Sequence, residues 1–88
     1  MKYIEDYIRD RTTDLELRSH LFGIVKECGF YGSAHNTLLD GNDLSRLWDR
    51  FGTYTRIAVH AERVHGGTEI HLSQFVDSAI GSWRTQRG

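Results

Sequence analysis

Five histidines, one cysteine and a few hydroxyl-histidine neighbours are the residues of this 88-residue chain whose types could do chemistry. Glu62 and His65 lie three apart and would share one helix face, and His71, beyond the Gly66-Gly67 pair, could close a Glu/His metal site. His60 and His65 are five apart and face differently, however, and neither an HExxH nor a CxxC spacing occurs. Surface histidines explain the pattern more simply, so the expectation is no metal ligand and no cofactor. Cys28 falls on an apolar helical stripe with Leu21, Ile24 and Val25. That is the setting of a packing thiol, because a nucleophilic thiolate needs a base or cation beside it. Neither Ser19-His20 nor Ser33 with His35 sits in the strand-turn-helix context of a nucleophile elbow. The turn Asp40-Gly41-Asn42-Asp43 is acidic and would repel a phosphate. With no catalytic residue assembled, the expected protein is not an enzyme.

Residues suited to contact are easier to find. Tyr3, Ile4, Tyr7 and Ile8 form one helical stripe opposite Lys2, Glu5, Asp6 and Arg9, on a segment that a four-helix core does not obviously need. Trp48 is a residue type that dominates binding hot spots. These five residues are the expected partner-binding set, with burial in the core as the competing reading for each, and for Trp83 as well. A surplus apolar stripe on so small a domain is also commonly hidden in a symmetric homodimer. For nucleic acid, Arg46 and Arg50 share a helix face that could imitate a recognition helix, diluted by Asp43 and Asp49.

Composition narrows the field. The length suits one domain spanning residues 1–88, and 39% apolar content suffices for a compact core. Eleven basic residues against twelve acidic ones give a formal charge of -1, too balanced for a general pull toward nucleic acid or anionic lipid. Nine of the eleven basic residues are Arg, a bias that fits interface work or genomic base composition. A lone cysteine excludes an intrachain disulfide. The charged N-terminal stretch lacks a signal-peptide core, and no apolar run approaches the roughly 20 residues that span a bilayer, so a cytoplasmic location without membrane insertion is expected.

The elements that must position these residues are mainly helical. After the short first helix, Thr13 and Glu16 form a capping-box pattern before Leu17, Leu21, Ile24, Val25 and Cys28, predicting a helix over residues 14–28 that stops at Gly29. Residues 30–42 read as an ordered loop. Asn42 or Asp43 then caps a helix over residues 43–51 with the stripe Leu44, Leu47, Trp48 and Phe51, and Gly52 ends or kinks it. Residues 53–72 are ambiguous. Tyr54, Ile57, Ala58, Ala61 and Val64 keep helical spacing, while Thr55, Ile57, Val59 and Ala61 alternate like a strand before a Gly66-Gly67 turn; helix is favoured over hairpin. Leu72, Phe75, Val76, Ala79, Ile80 and Trp83 predict a last helix over residues 72–84, with Ser73 a candidate cap. The expected fold is a mainly α, compact four- to five-helix domain, with a short hairpin or two-stranded pairing around residues 53–72 as the variant.

Leu39, four residues before Asp43-Leu44, and Ile70, four before Gln74-Phe75, give two helix-loop-helix units of similar layout. The layout resembles a pair of EF-hand units. That resemblance implies that Leu39 and Ile70, at position 8 of their loops, pair in a short two-stranded sheet. Its loops would begin at Gly32 and Arg63, with Ala34, Asn36 and Asp43, and His65, Gly67 and Gln74, at positions 3, 5 and 12. Nearly every oxygen ligand is missing, so the resemblance implies a calcium-free scaffold presenting a groove to a helix or peptide. The segments over residues 14–19 and 55–63 also look like small accessory proteins of tailed phages, including those that regulate lysis, which implies an inhibitor or regulator. The functional expectation is a non-enzymatic regulator that binds another protein through helices. The alternatives are a small nucleic-acid-binding transcriptional regulator and a Glu/His metal-binding protein.

Overall fold

The structure is a computed structural model that describes residues 2–58 and 70–87. Among these residues it contains four helices, α1 (Ile4–Arg11), α2 (Leu15–Glu27), α3 (Gly41–Thr55) and α4 (Leu72–Arg87). Two short strands, β1 (Leu38–Leu39) and β2 (Ile70–His71), complete the element order.

The expected helix over residues 14–28 is α2, but its cap differs. Asp14, rather than Thr13, is the N-cap, and its side chain accepts the Leu17 N–H at 3.1 Å. Asp40, rather than Asn42 or Asp43, caps α3. Its carboxylate accepts the Asp43 N–H at 2.8 Å, and the Asp43 carboxylate accepts the Asp40 N–H at 3.2 Å, a reciprocal box. Gly52 does not end this helix, which runs on to Thr55. It stops at Arg56, whose backbone takes the left-handed conformation (φ 61°). That stop overturns a continuous helix through Tyr54, Ile57 and Ala58; the Gly66-Gly67 turn and His60, Glu62, Val64 and His65 lie outside the described residues. Ser73 is not a cap but a buried residue inside α4, and the Gln74 side chain accepts the His71 N–H at 2.7 Å at the helix start.

The strands are antiparallel, with Leu39 opposite Ile70 and Leu38 opposite His71. The pairing implied by the two-loop layout is therefore found, and it joins residues 70–71 to residues 38–39. Neighbouring backbone bonds extend it: Leu72 N–H to the Thr37 carbonyl (2.9 Å) and Ser73 N–H to the Ala34 carbonyl (2.8 Å). On its other side the same loop takes the chain's start, with Ile4 N–H donating to the Gly32 carbonyl (2.9 Å) and Ala34 N–H to the Lys2 carbonyl (3.0 Å). The loop over residues 30–37 is thus the joint between α1, α2 and α4.

One core gathers all four helices. Leu17, Leu21, Ile24 and Val25 of α2 meet Leu44, Leu47, Trp48 and Phe51 of α3 and Phe75, Val76, Ala79 and Trp83 of α4. Each helix contributes the face its apolar period marks, which is what burying a stripe at 3.6-residue spacing requires. The first helix is part of this core: Ile4, Tyr7 and Ile8 are buried. No described helix is long and apolar enough to cross a membrane.

Candidate functional site

The expected contact stripe divides in the structure. Tyr3 is 54% exposed, but Ile4 and Ile8 are closed off in the core, so the set Tyr3, Ile4, Tyr7 and Ile8 is corrected as a contiguous exposed face. Tyr7 is pinned by its hydroxyl, which donates to the Asp77 carboxylate at 2.9 Å, and its ring meets His35 edge-on. Burial, and then the hydrogen bond to Asp77, push the Tyr7 phenol above its ordinary range. Of the two readings weighed for Trp48, core and contact, the structure shows the core one. At 1% exposure it packs edge-on against Phe51 and Phe75, with ring centres 5.4 and 4.8 Å away.

What the surface offers instead is a groove between the first turn of α1 and the last turns of α2. The turn that follows α2 builds it. Gly29 has φ 85°, its N–H donates to the Lys26 carbonyl (3.1 Å), and the Phe30 N–H donates to the Val25 carbonyl (2.9 Å). This is a Schellman motif, in which the left-handed glycine turns the chain back so that the residue after it lies against the helix's last turn. Phe30 is thereby folded toward Val25, and the Tyr31 hydroxyl reaches back to the Lys26 carbonyl at 3.2 Å. Ile4 N–H, bonded to Gly32, holds α1 beside the turn.

The resulting cavity has a volume of about 330 Å³. Ile4 and Val25 lie on its apolar side, Tyr3, Phe22, Phe30 and Tyr31 supply four aromatic rings, and Glu5, Asp6 and Lys26 supply its charges. Tyr31 is 66% exposed and, with Tyr3, belongs to the few large apolar side chains left in water among the described residues. Most isolated exposed apolar residues need no explanation, but several rings around one concavity are the mark of a contact surface. Of the expected binding residues the groove brings together Tyr3 and Ile4 and leaves out Tyr7, Ile8 and Trp48.

The other chemistries fare as their geometry dictates. Arg46 is paired with Asp43 (3.2 Å) and Arg50 with Glu27 (3.4 Å), so the two-arginine face is partly neutralised by its neighbours. Ser33 is buried, and its hydroxyl accepts the N–H groups of His35 and Asn36, which commits it to the turn. Cys28 is buried on the stripe, and burial pushes its thiol up against the opposing pull of Arg46 and Arg50. His20 lies between the rings of Tyr54 and Trp83 with Glu16 at 3.7 Å. Among the described residues no three His, Cys, Asp or Glu side chains converge as a metal site, and His71 is exposed.

No family model, curated protein or solved structure matches this chain. The functional reading therefore rests on the groove itself. Phe22, Phe30 and Tyr31 were missed by sequence reasoning because none falls on the α2 stripe. The signal that could have found them is the helix-stop glycine at position 29 followed at once by two aromatics, which places both rings over the helix end.

Proposed function

We propose that this protein is a non-enzymatic regulator that modulates or inhibits another protein, cytoplasmic like itself, by direct contact through the α1/α2 groove. The observation that supports it is the pair of exposed tyrosines, Tyr3 and Tyr31, flanking a partly apolar cavity where the first turn of α1 meets the end of α2. Tyrosine offers a large amphipathic contact area with few rotatable bonds, which is why it concentrates at the energetic centres of interfaces. The groove alone is small beside the roughly 800 Å² per partner of a standard interface, so it would serve as the anchor of a contact extending onto the exposed sides of α1 and α2.

Affinity capture from the native cell tests this reading with three forms of the chain: wild type, a Tyr3→Ser/Tyr31→Ser double variant, and a Leu15→Ser variant. Leu15 is 74% exposed and does not line the groove, so it controls for nonspecific apolar loss. A protein held by wild type and Leu15→Ser but lost from the double variant is the expected result. Equal recovery by all three forms, with unchanged helical circular dichroism, would remove the groove from the contact.

A further inference from the structure

The proposed contact can be given a chemistry, and this inference rests on the groove being the contact surface. We propose that the groove's guest is a cationic side chain, an arginine guanidinium presented by the partner's peptide chain. Four aromatic rings surround the cavity, and the carboxylates of Glu5 and Asp6 outnumber the single ammonium of Lys26 among its lining residues. Ring faces carry negative electrostatic potential and attract a cation within about 6 Å of the ring centre, most strongly where a carboxylate stands nearby. Arginine is favoured over lysine because its planar fork stacks on a ring while still bonding a carboxylate.

The molecule's own arginines show the same preference on these rings. The Arg9 guanidinium carbon lies 5.1 Å from the Phe22 ring centre while its nitrogens stand 3.4 Å from Asp6 and 3.9 Å from Glu5. Arg46 sits 6.0 Å from the Phe30 ring centre. Each of these two rings is thus already attended by a guanidinium, and Tyr3 and Tyr31 stand exposed beside them. Arg9 acts as an internal competitor. Its ion pairs are exposed helix-surface pairs, the kind that hold their partners weakly, so a guest can share or displace it. Lys26, on α2, opposes a cation from its own side and directs it toward the acidic residues of α1. An acidic guest would set like charge against the Glu5 and Asp6 carboxylates, which is the unfavourable case.

The test is titration of the whole chain, followed by amide NMR, with acetyl-Ala-Arg-Ala-amide and with the same peptide carrying citrulline or norleucine in place of arginine. Citrulline keeps the shape and planarity of arginine and removes the charge. The arginine peptide should shift the amides of Tyr3, Glu5, Phe30 and Tyr31 and bind roughly threefold or more tightly than the citrulline peptide, as a cation held by rings and carboxylates requires. Asp6→Asn should weaken it, and Arg9→Gln should strengthen it by freeing both carboxylates and the Phe22 face. Both side chains are exposed, so neither variant threatens the fold. Citrulline or norleucine binding as well as arginine, or Arg9→Gln weakening the arginine peptide, would overturn the cation while leaving the groove as a contact site. Shifts absent from the groove with every peptide would overturn the inference outright, and the capture experiment with Tyr3→Ser/Tyr31→Ser would then decide separately whether the groove is a contact at all.

Discussion

Trp48 and Trp83 allow one substitution to be read in two opposite settings. Both indoles are nearly inaccessible, at 1% and 4% exposure, so burial alone predicts that Trp48→Phe costs as much as Trp83→Phe or more. Their N–H groups differ. The Trp83 Nε1 donates to the Asp14 carboxylate at 2.9 Å, which links α4 to the N-cap of α2, whereas the Trp48 Nε1 is buried with no hydrogen-bond partner among the described residues. Replacing either indole by a phenyl ring loses packing and leaves a small void, a cost of about 1–2 kcal/mol. At Trp48 the same change removes an unsatisfied donor, whose burial costs about 1–3 kcal/mol, so the two effects nearly cancel. At Trp83 it removes a hydrogen bond to a charged acceptor. Because Asp14 is exposed and water can take up its freed oxygen, the lower end of the charged-bond range applies, about 1.5 kcal/mol. The expected order is Trp48→Phe near neutral and Trp83→Phe destabilising by about 3 kcal/mol. Urea unfolding followed by far-ultraviolet circular dichroism reads this directly, since a gap of that size moves the midpoint by on the order of 1–3 M at an ordinary slope. Trp48→Phe costing as much as Trp83→Phe would show that packing outweighs the buried donor, and the reasoning would fail.

Two further outcomes follow from local geometry. The raised phenol of Tyr7 means that the folded protein keeps this proton at pH values where the unfolded chain has lost it, so its contribution is whole below about pH 10 and is lost as pH rises through the folded value. Tyr7→Phe should therefore flatten the fall of the urea midpoint as pH rises above about 10; parallel wild-type and variant curves would contradict it. In the second case, a Cβ at Gly29 meets nothing within 4 Å, so Gly29→Ala probes only the left-handed backbone and should cost about 1 kcal/mol. Gly81→Ala, also into open space but inside α4, should gain about as much, and melting temperatures moving in the same direction for both would refute the assignment.

The helical periods of α2, α3 and α4 were legible because a stripe at 3.6-residue spacing records which face is buried. The caps were not, since Thr13, Asp14, Asn42, Asp43, Asp40 and Ser73 are all competent cap types and only the backbone path decides which one meets a free N–H. Gly52 carries a helix penalty of roughly 1 kcal/mol, which packing of Phe51 and the half-buried Tyr54 on either side overrides. Tyr7 was misread as surplus because its partner Asp77 is 70 residues away, and nothing local announces a contact at that separation. The groove was hidden for a related reason. Its rings come from α1, α2 and the turn after Gly29, and only Tyr3 and Ile4 stood on a stripe that could be read.

That division also separates folding from binding in this chain. Ile4, Tyr7, Ile8 and Trp48 are the apolar side chains that hold the helices together, and truncating them would disturb every surface at once. Tyr3 and Tyr31 lie mostly in water, so removing their rings withdraws little buried area while changing what a partner meets. The loop joining α2 to α3 belongs to both tasks: Gly29 turns it, Gly32 anchors α1, and Ala34 and Thr37 receive the start of α4. A groove built on such a joint is held in shape by the same backbone hydrogen bonds that close the core. Its aromatic rings are therefore positioned before any partner arrives, which lowers the ordering cost of binding for an anchor of this small area.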